Sequence, residues 1–581
     1  MENSGIAKVF TEIAELLEIK GDDPFRIRSY KNAAMVVEGL TKSLASLYEQ
    51  GELNGIPGIG AGLRQKIIEM LLTSRCAYHD ELLKELPSGL LDILNVRGVG
   101  PKKAALFYKE LGISTVEALE KAAHSHALAA LNHIGEKTEE NIIKGIMELR
   151  TMAGRVTLHS AMQTADAIIK YLKKTTNVGD VQPAGSIRRW SESIGDIDIL
   201  AISSEHERVV DAFVKYPDAK ETISKGDTKA AIALKNGLHV DLRVLDALSY
   251  GAAMQYFTGS KSHNVIIREM AKKKGLKINE YGVFDEKTGE RLAGLTEADI
   301  YKHVGLPLIL PEYREGLGEI EAALGGRLPR PLELTDIRGD LHCHTVESDG
   351  AETLDKMAEE AMRLGYEYMA ITDHSRAVGI AHGLDTKRAL KQIEEIDAFN
   401  ASLKKAGKRF VVLKSAEVDI RADGTLDHED AVLDKLDCVI GAIHSGFTMT
   451  MAEQTRRIIK GLSTGRIDIL AHPTGRLIGI RPAYQVDMEA VMEAAVKTSA
   501  ALELNSSPER LDLNDVHCRA AMERGILVAI STDAHSAPQL SNMTYGVHTA
   551  RRGWLEKKNV LNARPLKELL AWLKKRRSFV R

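Results

Sequence analysis

Apolar positions Ile6, Val9, Phe10, Ile13, Leu16 and Leu17 recur at three- and four-residue intervals, the spacing that lines one face of a helix. A further helix is predicted at F-R-I-R-S-Y-K-N-A-A (25–34), whose start gathers Arg26, Arg28, Tyr30 and Lys31. Two readings of that start stand: a solvated basic face, or a site for a 5′-phosphate. Glycines then interrupt the apolar pattern at I-P-G-I-G-A-G-L-R-Q-K-I (56–67) and V-R-G-V-G-P-K-K-A-A-L-F (96–107). In the second, Pro101 suits the first turn of a helix. A third copy, L-N-H-I-G-E-K-T-E-E-N-I (131–142), keeps one glycine. This is the helix-hairpin-helix pattern, in which a Gly-x-Gly turn bares N–H groups at a helix N-terminus. Gly58, Gly60, Gly98 and Gly100 could there receive DNA phosphates without reading sequence.

The period changes to two at G-S-I-R-R-W-S-E-S-I-G-D-I-D-I-L (185–200), whose end, 194–200, reads as an apolar strand interrupted by Asp196 and Asp198. Side chains two apart on a strand share a face. Paired carboxylates on an apolar strand are costly unless cations neutralise them, and magnesium suits such oxygen ligands. The bland reading is a solvated edge strand. The Gly-Ser-x-Arg-Arg run upstream and a third acid, Asp241 in L-H-V-D-L-R-V, favour two metals and an in-line phosphoryl displacement.

Proline and glycine become dense at 305–316 and 325–331, placing a domain change within 316–335. Beyond it a β-prone run ending in His, Asp or Glu alternates with helical stretches. The runs are I-R-G-D-L-H-C-H, Y-M-A-I-T-D-H, F-V-V-L-K-S-A-E, C-V-I-G-A-I-H, I-D-I-L-A-H, A-L-E-L-N and I-L-V-A-I-S-T-D-A-H. Seven such units predict a parallel sheet closed as a distorted TIM-like (β/α)7 barrel, with functional groups at the strand C-termini. A lone His there is usually structural. Here His342, His344, His374, His444, His472 and His535 join Asp349, Glu417 and Asp533. Nine nitrogen and oxygen donors suit two or three Zn, Mn or Fe ions. Cys343 is excluded because an extended H-C-H run points it away from its neighbours. The segment 566–577, L-K-E-L-L-A-W-L-K-K-R-R, predicts an amphipathic closing helix with a solvated basic end.

Bulk properties narrow this little. The 581 residues call for about three to five structural units. A hydrophobic fraction of 44% supports real cores, and no run approaches the roughly 18 apolar residues of a membrane span. The N-terminus has no signal pattern, so the expected location is the cytoplasm. The cysteines Cys76, Cys343, Cys438 and Cys518 lie far apart, against a disulfide framework or a zinc ribbon. A formal charge of −3 neither predicts nor excludes nucleic acid, because an acidic metal site can mask a basic groove elsewhere.

Residues 1 to about 315 resemble the X family of DNA polymerases, the group that includes DNA polymerase beta. The resemblance runs through the hairpins, 185–200 and Asp241 into Q-Y-F-T-G-S-K-S-H-N-V-I-I-R (255–268) and G-L-K-I-N-E-Y-G-V (275–283). It implies that Asp196, Asp198 and Asp241 bind two catalytic Mg or Mn ions, with Asp241 nearest the primer 3′-OH. Gly185, Ser186, Arg189 and Gly195 would hold the incoming dNTP. Tyr256, Phe257 and Gly259 would line its sugar pocket, and Asn264 and Arg268 would face the nascent pair. Arg26 and Tyr30 would join the hairpin glycines on DNA. Lys66 matches the Schiff-base lysine of members that remove a 5′-deoxyribose phosphate. However, Gly62 stands where a phosphate-binding lysine is usual, and Arg26 replaces another.

Residues 335–575 resemble the polymerase and histidinol phosphatase (PHP) family through D-L-H-C-H-T, T-D-H-S, S-A-E, A-I-H-S-G, A-H-P-T-G and T-D-A-H. That resemblance implies metal-assisted phosphodiester hydrolysis by the nine residues above. Fused to such a polymerase, it implies a manganese-favoured 3′→5′ exonuclease, with abasic-site endonuclease and 3′-phosphatase activities to be tested.

The expected organisation is multidomain α+β and α/β. A helical domain with the first hairpin (1–85) precedes a second hairpin subdomain (86–152), a polymerase beta-like palm (153–250) and a nascent-base-pair subdomain (251–315). A linker (316–335) and the PHP barrel (336–581) follow. Expected partners are gapped or primed duplex DNA with a 5′-phosphate, and dNTPs, with no membrane and a monomeric chain. One alternative keeps only the PHP site active, as a small-molecule phosphatase of the histidinol-phosphatase type; another is a non-catalytic DNA-binding scaffold.

Overall fold

The computed structural model describes every residue except 2, 39–43, 50, 57, 97, 132–133, 153–154 and 581. It forms two compact units, Met1–Ala153 and Gly154–Arg581.

The first unit is helical throughout its described residues and has two apolar cores. Helix Asn3–Lys20 buries Ile6, Phe10, Ile13, Leu16 and Leu17 in one core, as its spacing requires. Helix Pro24–Glu38 adds Tyr30, Ala33 and Val37. The second core gathers Leu90, Ile93, Phe107, Leu119 and Ile142. The three glycine motifs fold alike. The N–H groups of Ile59, Val99 and Ile134 donate to the carbonyls of Ile56, Val96 and Leu131 at 3.3, 3.0 and 3.1 Å. Gly58 and Gly98 take φ of +82° and +88°, which a side chain would resist. Gly60 and Gly100 then cap helices Ala61–Thr73 and Pro101–Leu111 in extended conformation. The carbonyl of Gly135 likewise accepts from Thr138 at the start of Glu136–Met152, at 2.8 Å. The third copy therefore keeps these two hydrogen bonds of the pattern. Within the motifs, Pro57, Arg97, Asn132 and His133 lie outside the described residues.

The second unit opens on a five-stranded sheet in the order Val181–Pro183, Asp196–Ile202, His239–Leu245, Lys229–Leu234, Ala219–Lys225. Only the pair Asp196–Ile202 with His239–Leu245 is parallel. Helices Leu158–Thr175 and His206–Val214 pack on it, covering Ile197, Ile199, Val240 and Leu242. The strand expected to run unbroken from Ile194 is split at Gly195. Ser193–Ile194 pairs instead with Val156–Thr157, while the remainder joins the main sheet. Gly-Ser at 185–186 opens the short helix Gly185–Arg188. Helices Tyr250–Thr258 and Lys261–Lys273, a three-stranded antiparallel sheet and helix Glu297–Val304 form the next layer around Ile267, Ile300, Tyr301 and Ile309. Residues 316–335 contain helix Glu319–Leu324, whose first carboxylate is buried against His263 at 2.7 Å.

All seven β-prone runs after 336 become parallel strands in chain order: Gly339–Cys343, Tyr368–Ile371, Val411–Asp419, Cys438–Ala442, Ile469–Leu470, Ala501–Asn505 and Val528–Ser531. A bridge between Cys343 and Ala534 joins last to first, making the nearly closed TIM-like barrel. Leu341, Ala370, Leu413, Ile440, Ile469, Ala501 and Ala529 fill a common core cluster. Helix Leu566–Val580 adds Leu569 and Leu573 to it. Its basic end is not simply solvated, because Arg576 is buried and both Arg576 and Arg577 hold Asp468 at 2.7 Å. A carboxylate at the start of an inner strand needs that compensation.

The sheet layer and the barrel share one packed seam. The Trp190 and His548 rings stack at 3.5 Å and 3°. Arg476 donates to both oxygens of Glu192 at 3.0 and 2.6 Å. Glu312 lies 2.7 Å from His548 and accepts from Arg551 at 3.1 Å. Among the described residues no helix is long and apolar enough to cross a membrane.

Candidate active sites

The barrel carries its acids and imidazoles at the C-terminal ends of its strands, within or just past strands that fix their direction. Three overlapping groups form, each with ligand atoms within 4.8 Å of one another: His344, Asp349, His374 and His535; His342, His344 and Asp533; and His374, Glu417 and His444. His472 is outside these groups but meets Glu417 at 2.8 Å. Glu417 is the hub. Its Oε2 lies 3.4, 3.6 and 2.9 Å from His342, His344 and His374, and its Oε1 3.1 and 2.8 Å from His444 and His472. Cys343 is buried in a separate apolar cluster, and all four cysteines are unpaired.

The donor set fits divalent cations. Buried His342 Nε2, both His344 nitrogens, His374 Nδ1 and Glu417 Oε2 have no hydrogen-bond partner. Such orphans are rare in a folded interior and call for an ion. Charge points the same way. Burial and the neighbouring His535 and His374 push His344 down to about 3, which favours its neutral, electron-pair-donating form. Burial opposes ionisation of Glu417 and Asp533, yet the surrounding imidazoles hold both well below the usual carboxylate range. For His374, burial is outweighed by Glu417 and Asp349, which raise it to about 10. The acids thus draw in positive charge wherever it is available.

Groups outside the nine orient them. Glu503, fully buried, meets His342 Nδ1 at 2.7 Å and accepts from the His472 N–H at 2.7 Å. Asp419 accepts the His444 N–H at 3.1 Å, and its carboxylate lies 3.2 Å from His444 Nδ1. Asn505 donates to Asp533 at 3.1 Å. Such partners set tautomer and ring direction. Sequence reasoning misses Glu503, although a carboxylate inside the apolar strand A-L-E-L-N is a visible signal.

In the sheet, parallel register sets Asp198 beside Asp241, and Asp196 beside His239. Asp196 is exposed, while Asp198 and Asp241 are half-buried. Burial, then the charges of Asp196 and Asp241, raise Asp198 to about 7. Burial also raises Asp241, with Asp196 adding to it. Gly185 turns with φ +56°, and a Cβ there would overlap the Asp198 carboxylate. Its carboxylates are less tightly gathered than the barrel's donors, since among the described residues the 4.8 Å groups all lie in the barrel.

Of the other predicted positions, Arg189 is near enough for its charge to act on Asp198. Ser186 is half-buried, and Gly195 lies beside the Arg155 guanidinium. Arg189 donates to the Thr258 carbonyl at 2.6 Å and to Glu315 at 3.1 Å. Tyr256 and Phe257 meet edge to face at 5.2 Å, and Gly259 follows them with φ +69°. Asn264 is buried, donating to the Tyr256 carbonyl and accepting from Gln255, and Arg268 is exposed. In the first unit, Tyr30 is buried between the Phe10 and Tyr78 rings, while Arg26, Arg28 and Lys31 are exposed, as is Phe25 beside them. Lys66 is half-buried, its Nζ 5.1 Å from the Tyr78 ring centre, which Arg26 shares at 4.9 Å. A Cβ at Gly60, Gly100 or Gly135 would meet nothing within 4 Å, so those helix starts are open.

Known families match these parts. A helix-hairpin-helix domain matches residues 1–76 and a SAM-like helix-hairpin-helix tandem 90–148. The DNA polymerase beta thumb matches 253–315 and the PHP domain 340–507. The barrel alone is 26% identical to a probable phosphatase of Thermoanaerobacter sp. (strain X514), over 38% of this chain and 89% of that protein. It is 30% identical to the probable phosphatase YcdX of Escherichia coli O127:H6, over 34% and 78%. The DNA polymerase/3'-5' exonuclease PolX of Bacillus subtilis (strain 168) is 39% identical over 99% of this chain and 100% of its own length. With that likeness running through both halves, the chain belongs to the family X DNA polymerases that carry helix-hairpin-helix domains and a C-terminal PHP domain.

Proposed function

We propose that the chain fills short gaps in duplex DNA during base-excision-type repair and that its barrel shortens 3′ ends. The observation that carries the reading is the parallel register that sets Asp198 against Asp241 within one body that also holds the barrel cluster. Divalent metal at both sites supplies charge neutralisation of phosphoryl oxygens and activation of the attacking oxygen. Asp196, Asp198 and Asp241 would hold Mg2+ or Mn2+, and the nine barrel residues two or three Zn2+, Mn2+ or Fe2+ ions.

The chain's own residues supply the rest. Asp241, nearest the primer 3′-OH, orients that hydroxyl and draws on its proton. Gly185, Ser186, Arg189 and Gly195 bind the triphosphate of the incoming dNTP, and Arg189 adds positive charge where the leaving phosphate develops negative charge. Tyr256, Phe257 and Gly259 shape the sugar pocket, while Asn264 and Arg268 face the new pair. Gly58, Gly60, Gly98 and Gly100 open helix N-termini to backbone phosphates, and Arg26 favours a 5′-phosphate. In the barrel, Glu503 and Asp419 hold His342 and His444 in register for the phosphodiester. The segments 1–85, 86–152, 153–250, 251–315 and 336–581, with 316–335 between the last two, act as the working parts of a cytoplasmic monomer.

A 5′-labelled primer in a one-nucleotide gap tests this. Manganese without dNTPs should give 3′ shortening, the matching dNTP should give one-nucleotide extension, and EDTA should stop both. Absence of either reaction with active metal would sink that half of the reading. Because relatives of the barrel are named phosphatases, a primer ending in a 3′-phosphate and an abasic duplex belong in the same assay. Lys66 is the candidate for a 5′-deoxyribose phosphate lyase. A borohydride adduct absent from Lys66 would remove that activity.

Two substitutions have defined outcomes. Gly185→Ala forces a side chain into the Asp198 carboxylate and should cut extension about 100-fold without touching shortening. Glu503→Gln leaves either His342 or the His472 N–H without its acceptor, and should lower barrel metal affinity and shortening about 10- to 100-fold. Metal titration of the purified variant checks the second directly.

A further inference from the structure

Arg552, at the end of barrel helix Met543–Arg552, reaches into the turn assigned above to the triphosphate. Its side chain is nearly enclosed and makes four polar contacts. Nη1 donates to the Arg189 carbonyl at 2.8 Å and to Glu315 Oε1 at 2.7 Å. Nε and Nη2 donate to Asp515 Oδ2 at 3.0 and 2.7 Å. The Arg189 Nε donates to the same Glu315 Oε1 at 3.1 Å. Two guanidiniums therefore compete for one carboxylate oxygen, and one of them belongs to the other catalytic domain.

Competition has a direction. Glu315 is the only carboxylate with a described ion pair to Arg189, whereas Arg552 is also anchored by Asp515. With Arg552 present, Glu315 is already neutralised and holds Arg189 less tightly. Without it, Glu315 becomes the undivided counter-charge of Arg189 in a partly buried, weakly screened setting. The turn itself has a separate fastening, because Trp190, at φ +57°, stacks flat on His548, and Glu192 is gripped by Arg476. Loss of Arg552 would change the electrostatics of Arg189 more than the place of its backbone.

We propose that Arg552 is a positioning residue for nucleotidyl transfer: it shares Glu315 with Arg189 so that the Arg189 guanidinium can turn to the triphosphate of the incoming nucleotide. The proposal rests on Arg189 being a triphosphate ligand. It makes the barrel a working part of the polymerase site as well as the bearer of its own.

The test uses the full chain and steady-state gap filling with one dNTP. Arg552→Gln should raise the KM for dNTP about tenfold and change kcat less than about threefold, with 3′ shortening unaltered. Adding Glu315→Gln should return KM to within about threefold of wild type, because Arg189 is then released from its competitor. A purely structural role for Arg552 predicts the reverse, since removing a second seam contact would worsen the defect. Glu315→Gln alone should leave KM at or below the wild-type value, and a rise there would overturn the proposal even if Arg552→Gln failed to fold. Arg189→Ala separates the layers. If it raises KM while Arg552→Gln does not, the proposal falls alone. If it leaves KM unchanged, the triphosphate reading falls and takes the proposal with it.

Discussion

Replacing Asp198 with alanine is expected to lower gap-filling extension by roughly three to four orders of magnitude, the rate equivalent of the several kcal/mol that metal-borne charge stabilisation supplies. Shortening of the same primer in manganese should stay at the wild-type rate. Asp198 is the member of the triad most raised, to about 7, so it gains most when a cation replaces proton and repulsion. It is also the one whose seat is carved into the fold, between the parallel strand bearing Asp241 and the side-chain-free Gly185. Asp198→Asn keeps the shape and removes the charge, and should fail equally in extension. Extension by either variant at more than about a hundredth of the wild-type rate would mean that the acid pair is not the metal site.

Glu417→Gln should abolish shortening to a similar degree while leaving extension intact. The physical reason is concentration of contacts. One carboxylate meets His342, His344 and His374 through one oxygen and His444 and His472 through the other. An amide is nearly the same size, but it is neutral and presents N–H groups to one side of that ring of imidazoles. Glu417 belongs to the ligand group of His374 and His444, and that group shares His374 with the one of His344, Asp349 and His535. Metal analysis of the purified variant should show reduced occupancy of the barrel. Full metal content with undiminished shortening would remove Glu417 from the centre, and the nuclease would have to be sought elsewhere.

Much of this geometry is legible in the amino-acid sequence, for reasons that differ by element. The barrel runs announce themselves because six of the seven β-prone stretches lead straight into a metal-competent side chain, and the seventh, A-L-E-L-N, carries an acid within it. A parallel barrel brings such ends together whatever lies between them. The pairing of Asp198 with Asp241 is legible as type but not as register, since register is set by the strands' common packing against the helices over Ile197 and Val240. The break at Gly195 escapes notice because an apolar, alternating run reads as one strand, and nothing local shows which sheet its first two residues join. Arg576 and Arg577 read as solvated because their counter-ion, Asp468, is more than a hundred residues earlier. Separations of more than two hundred residues likewise hide Arg552 from Glu315 and Arg189. Ion pairs between remote segments leave no periodic trace.

The seam at Trp190 also bears on how separable the halves are. The Pro- and Gly-rich stretch near 316–335 looks like a place to divide the chain into a polymerase and a nuclease. A cut there that removed the sheet layer would uncover the flat face of Trp190 and its stacking partner, and would leave Glu192, Glu312 and Arg476 as partly buried charges without counter-ions. Unpaired charge of that kind costs several kcal/mol per group, about the margin by which a domain holds together. The two catalysts are thus arranged in sequence like independent modules but stabilised in this chain like one, each leaning on charges that the other supplies.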